Sequence, residues 1–380
     1  MTNEIPRQPL DDAAIRALAD APAPASYLNW KLCLAGAPRT AMVEAAFYTD
    51  TWITGEYETG PLKFINTIAG DLRRGDVRPA IVLRFSCHWP AYAGWPTDTG
   101  DDHYHGGDHF DEVAALTSLS LGIRAQAGPV TRDFNLRGDP LGTPTMFSGM
   151  KAIPALYPSR HPMLPRLGEA ANLTSLRPIE KIPALSDEAA SAVIKAARTY
   201  QSALWFADSH PEMSWLFLVS AVETAAGYWA KTDDEPLLLP DAVARILRKH
   251  NCPESVDQPL AGYFKETTKS TRKFVAFLTQ FLPGPPTDRP ESDHLRVDFD
   301  GNELRRDFRF IYDRRSLALH TGVPFPMPMC LPSHIKEERN FALGMSAHGA
   351  TWSFENYRPI RFHIFEHIAR GALLRWIESL

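Results

Sequence analysis

Pro154, Pro158, Pro162, Pro165, Pro178 and Pro183 fall between Met146 and Leu185, and no other feature of the chain limits its folding as strongly. Proline lacks a backbone donor and pushes its predecessor out of the helical region, so neither a long α-helix nor a central strand can cross this stretch. A chain of 380 residues is long enough for two cores, since one core typically serves about 100–200 residues. The boundary is therefore expected here, giving residues 1–185 and 186–380 as two domains.

Beyond the prolines the pattern turns helical. Ser186 suits an N-cap, Asp187 and Glu188 suit the positive end of a helix dipole, and an alanine-rich helix follows to about Asp208. Pro211 then opens a second helix to about Ala230, with Trp215, Leu218, Val219, Val222 and Ala226 on one stripe and Leu216 and Phe217 widening it. Further helices are predicted at Pro240–His250, Pro259–Leu282, Asn302–Thr321 and Pro359–Ser379. The last of these buries Phe365, Ile368, Ala369, Ala372, Leu373 and Trp376. Gly322–Pro332 reads as an irregular connection.

The first half reads as mixed α/β, with strand-like runs at Ala41–Tyr57 and Arg78–Cys87 separated by Gly, Pro and Asp. The fold class expected is α+β, a mixed sensor or regulatory domain followed by an all-α bundle.

A net charge of −5 and a pI near 6.2 give no global attraction to nucleic acid, so any RNA contact must come from a local basic surface. The polar start of the chain has no signal-peptide pattern, and its apolar runs are too short to span a bilayer, which takes about 20 residues. A cytoplasmic location without membrane contact is the default. Cys33, Cys87, Cys252 and Cys330 are scattered, suggesting neither a disulfide framework nor a zinc ribbon.

The chemistry concentrates in Tyr312-Asp313-Arg314-Arg315-Ser316-Leu317-Ala318-Leu319-His320-Thr321-Gly322. Cutting RNA without a metal requires deprotonating a 2′-hydroxyl, protonating a leaving oxygen and stabilising charge on phosphorus. Histidine suits the proton steps, and the donor fork of arginine suits the phosphate. Five positions place Arg315 and His320 roughly 140° apart on an ideal helix. Convergence within one chain therefore requires the helix to fray near His320, which Gly322 would permit. A second copy of the motif could instead complete the site.

This run resembles the signature of the HEPN superfamily, in which an Arg, a polar residue, three further residues and a His close a helix. Here those positions are Arg315, Ser316, Leu317-Ala318-Leu319 and His320. Glu223 on an early helix and the amphipathic closing helix match the family's pattern, and the ApeA-like HEPN proteins of bacterial phage defence are the most similar branch. Two positions depart from it: Ser316 stands where Asn is frequent, and Thr321 intervenes before Gly322. The resemblance implies a HEPN-like bundle over 186–380 and a homodimer with paired motifs. It further implies a metal-independent endoribonuclease, a defence or toxin effector with no cofactor, leaving 2′,3′-cyclic phosphate ends. His320 would move protons, Arg315 would stabilise the phosphate, Ser316 would orient a neighbour, and Glu223 would fix Arg315 or Arg314.

Two other readings stay open. The same domain could bind RNA or a protein partner without cutting, its arginines serving as contacts. Asp101-Asp102-His103-Tyr104-His105-Gly106-Gly107-Asp108-His109-Phe110-Asp111 also holds ligand-competent side chains, suggesting a metal-dependent hydrolase on His103, His105, Asp108 and His109. Its spacing departs by one residue from the His-x-His-x-Asp-His motif it resembles, and a polar loop leading into a helix accounts for the composition. His363-Ile-Phe-Glu-His367 matches the string of inverted zinc proteases, but only 13 residues follow it, too few to return a third ligand.

Overall fold

The computed structural model describes residues 11–67, 76–89, 107–134, 140–145, 156, 161–165, 169–230, 247, 249–250, 253, 270–299, 303–332, 337–340, 345–347, 350–352 and 359–380. The fold is α+β, with an antiparallel sheet in the first half and a mostly helical second half. The chain divides into two units, one of Met1–Phe217 with Leu374–Leu380, the other of Leu218–Leu373.

In the first unit, helices α1 (Asp12–Ala19) and α2 (Ala25–Leu34) precede strands β1 (Ala41–Thr49), β2 (Trp52–Thr54), β3 (Glu56–Thr59), β4 (Leu62–Asn66) and β5 (Arg78–Cys87). Helix α3 (His109–Leu121) then leads to β6 (Gln126–Phe134), β7 (Thr143–Pro144) and β8 (Ala170–Asn172). The six-stranded sheet runs β3-β4-β5-β1-β6-β7 with every neighbouring pair antiparallel, while β2 and β8 pair in parallel. Alternation sets its faces: Ile81, Leu83 and Phe85 of β5 are buried and lie opposite Phe47, Ala45 and Val43 of β1. Glu44 faces Arg84 and Arg132 across the neighbouring strands and pairs with both.

The proline-bearing stretch ends in packed structure. Leu173–Ala184 is a 3-10 helix capped by Asn172, and Leu173, Leu176, Ile179 and Ile182 are all buried. With three residues per turn these side chains stack in one row, and Pro178 and Pro183 fall outside it. Helix α4 (Asp187–Phe206) follows, with the Ser186 hydroxyl accepting from Ala189 N–H as an N-cap should. The helical character thus begins at Ser186, whereas the division between units falls after Phe217, within helix α5 (Pro211–Trp229).

Two buried ionic groups tie the first unit together. Arg124 donates to Asp50 Oδ2 at 2.7 Å, to Asp208 Oδ2 at 2.6 Å and to the Leu204 carbonyl at 2.8 Å. Glu112 on α3 accepts from Ser26 N–H at 2.7 Å and Ala25 N–H at 3.2 Å, capping the first turn of α2, whose own N-cap, Pro24, offers no acceptor.

The second unit holds the rest of α5, helix α6 through 270–280, α7 (Glu303–Thr321), strands β9 (Met345–Ala347) and β10 (Ala350–Trp352), and α8 (Phe362–Ser379) up to Leu373. The second half is mostly helical, as expected, and also carries the short strands β9 and β10, which pair in antiparallel register. The predicted stripes of α5 and α8 are buried as expected. The helix predicted over Pro240–His250, and the start of the one predicted over Pro259–Leu282, lie almost wholly outside the described residues. Among the described residues no helix is long and apolar enough to cross a membrane, and Cys33, Cys87 and Cys330 are free thiols.

Burial pushes the Glu112 carboxyl up to about 7, against the opposing pull of the Ser26 and Ala25 donors. The folded protein therefore holds a proton that the unfolded chain has released, and stability falls as pH rises through the window between the two values. Glu112→Gln keeps an acceptor and removes this titration. Between about pH 5 and about pH 8 its stability relative to wild type should rise by roughly 1–3 kcal/mol, read by urea denaturation at each pH.

Candidate active site

Two stripes on α7 decide where its chemistry points. Leu304, Phe308, Ile311 and Arg315 succeed one another at i, i+4, i+7 and i+11; the first three are buried, and Arg315 stands where that row ends. A guanidinium there needs an acceptor, and Glu223 of α5 supplies one: Arg315 Nη2 donates to Glu223 Oε2 at 2.5 Å. Tyr312, one turn back, donates its hydroxyl to Glu223 Oε1 at 2.6 Å, so one carboxylate holds both side chains. The guanidinium lies 5.7 Å from the Tyr312 ring centre. The Arg315 side chain is 18% exposed, and its buried Nε has no acceptor among the described residues.

Burial, and then the Glu223 carboxylate, push the Tyr312 phenol up to about 12, so it remains a donor at neutral pH. Phe274 of α6 packs against the same ring, with centroids 5.2 Å apart. The Arg314 guanidinium lies 4.8 Å from the Phe310 ring centre. Of the two arginines, Arg315 is the one that Glu223 holds.

The opposite stripe carries His320. Arg309, Asp313, Ser316 and His320 repeat the i, i+4, i+7, i+11 spacing on the outer face, where Ser316 is half-buried and the others are exposed. Arg305 and Arg306 are exposed a turn earlier, so with Arg309 this face is locally basic, with Asp313 among them. The helix does not fray at His320: it stays α-helical through Thr321, whose hydroxyl donates to the Leu317 carbonyl, and Gly322 ends it at φ 69°. Within one chain Arg315, Glu223 and Tyr312 are thus brought together, while His320 and Ser316 stand on another face. Leu317, Leu319 and Val323 are exposed around the same helix end.

Of the metal-like cluster, His103 and His105 lie outside the described residues. Asp108 is the N-cap of α3, accepting from Asp111 N–H at 2.9 Å, and the His109 ring packs edge-on to Phe85 and Trp89. Burial lowers the pKa of His109. His367 Nε2 lies 2.9 Å from the Gly284 carbonyl, a packing role, and no group of three or more ligating side chains occurs among the described residues.

Tyr312 and the arginines at 305, 306 and 309 went unassigned in the sequence, although their spacing from Arg315 and His320 along one helix carries the signal. No protein-family model, curated protein or solved structure matches this chain.

If Glu223 positions Arg315, removing it alone leaves a partly buried cation unpaired. Glu223→Ala should cost roughly 1–3 kcal/mol, and a double-mutant cycle with Arg315→Ala should show a coupling of about 1 kcal/mol by chemical denaturation. Additive losses would mean that the pair is energetically idle.

Proposed function

We propose that this protein is a metal-independent endoribonuclease of the HEPN type, acting as a homodimer. The observation that carries the reading is the Glu223-held Arg315 on the same helix as an exposed His320. Glu223 takes one Nη2 donor of Arg315, whose side chain is 18% exposed, and the remaining Nη donors suit a phosphate in its transition state. His320 is accessible for proton transfer, Ser316 lies one turn before it, and Arg305, Arg306 and Arg309 continue the same face as contacts for an RNA backbone.

Because α7 is regular, Arg315 of one copy works with His320 of another, and exposed Leu317, Leu319 and Val323 provide apolar surface for that pairing. Attack of the 2′-oxygen on the adjacent phosphorus, with proton removal from that hydroxyl and proton delivery to the departing 5′-oxygen, leaves a 2′,3′-cyclic phosphate and a 5′-hydroxyl. A cytoplasmic effector that degrades RNA in phage defence or as a toxin fits this chemistry.

A second reading is favoured by the position of Arg315 at the end of a buried row: the Glu223 pair would close the core, and the outer arginines would bind RNA without cutting. Incubating end-labelled total RNA with wild type and with Arg315→Ala/His320→Ala in EDTA separates the two. Wild type should produce cyclic-phosphate ends, and the double variant should be slower by roughly a hundredfold or more. RNA binding with no product from wild type would instead establish the binding module.

A further inference from the structure

An arginine fork and a carboxylate meet most strongly through two parallel N–H···O bonds, one to each oxygen. Two pairs in the second unit do so. Arg339 gives Nη1 and Nη2 to the two oxygens of Asp307 at 3.1 and 3.0 Å, and Arg289 gives Nε and Nη2 to those of Glu338 at 2.7 and 2.6 Å. Glu223 and Arg315 are joined differently. Nη2 reaches Oε2 at 2.5 Å, while the oxygen that a second Arg315 donor would need, Oε1, takes the Tyr312 hydroxyl at 2.6 Å.

A further donor does not by itself open such a fork. Glu338 Oε2 also accepts from Val297 N–H at 2.6 Å, and its pairing with Arg289 stays closed. The difference lies in where the further donor lands. At Glu338 it shares the oxygen already held by Nη2, whereas at Glu223 it takes the opposite oxygen and ties the carboxylate plane to the phenol. Tyr312 can enforce this because its ring is 6% exposed and packed against Phe274, and because it stands one turn before Arg315 on the same helix. The side chains of Arg315 and Glu223 are 18% and 25% exposed, so the partly used fork is reachable from solvent.

We propose that Tyr312 is a positioning residue of the RNA-cleaving site: its hydroxyl limits Glu223 to a one-bond hold on Arg315 and so keeps the remaining Nη donors available to a phosphate oxygen. Without that hydroxyl Glu223 turns to close a two-bond fork, and the carboxylate then competes with phosphate for the same donors. The consequence for cleavage rests on the ribonuclease reading, whereas the one-bond hold does not.

Tyr312→Phe tests both parts. It removes one oxygen and keeps the ring against Phe274, so the fold should survive, as a single cooperative urea transition will show. The coupling of Glu223→Ala with Arg315→Ala, about fivefold in the unfolding equilibrium of the otherwise wild-type chain, should rise to roughly thirtyfold or more when Tyr312→Phe is present. On end-labelled RNA, Tyr312→Phe should lower kcat about tenfold while KM changes less than about twofold, because the lost donors act in the transition state. A tyrosine that only packs would alter stability without the rise in coupling or the split between kcat and KM. Unchanged coupling in the folded variant would overturn the proposal whether or not the protein cleaves RNA, and so would a wild-type kcat in Tyr312→Phe where wild type cleaves. Raised coupling together with a wild type that leaves RNA intact would instead uphold the hold of Tyr312 on Glu223 and remove the ribonuclease reading.

Discussion

A guanidinium at the end of a buried helical row needs a counter-charge, and in this protein Glu223 supplies it, accepting from Arg315 Nη2. The placement of α7 against α5 in the second unit is specified by that bond and by the Tyr312 hydroxyl on the other oxygen of the same carboxylate. Two donors on one acceptor fix rotation as well as distance, because a slip of one residue along α7 would move both away together. The same geometry determines which residues are left for solvent. Once Arg315 is inward, the helical period makes His320, Ser316 and Arg309 outward, and no side-chain rotation can reverse that assignment.

The first unit uses carboxylates in a related way, though for architecture. Asp50 and Asp208 share Arg124, which also reaches the last turn of α4, and so join a strand end, the start of β6 and a helix end around one cation. Glu112 is a cap contributed from another helix, a solution required because Pro24 cannot cap α2 itself. Groups of this kind are costly to bury singly and secure only when every lone pair and donor is used.

Much of the helical half was legible because its stripes are long and regular: Trp215 to Ala226 and Phe365 to Trp376 declare their buried faces by spacing alone. Ser186 announced the start of α4 through its capping chemistry. The 3-10 helix was less visible, since Leu173, Leu176, Ile179 and Ile182 repeat every three residues, a period matching neither α-helix nor strand, and its two prolines suggest a linker. The β9–β10 hairpin is too short for alternation to register. At the site, residue types and the 140° separation could be read directly, but whether Glu223 holds Arg315 or Arg314 needed tertiary partners. So did the role of Tyr312, which depends on Glu223 arriving from a helix about ninety residues earlier in the chain.

If Arg315 and His320 act together although one chain holds them on separate faces, each catalytic centre must draw on two copies. Mixing Arg315→Ala with His320→Ala tests it directly. In a heterodimer of the two variants one centre loses both groups and the other keeps both. Two preparations, each unable to cleave RNA alone, should then regain a substantial fraction of wild-type cleavage when mixed and allowed to exchange subunits. A mixture as inactive as its components, under conditions where wild type cleaves and subunit exchange is verified, would contradict it.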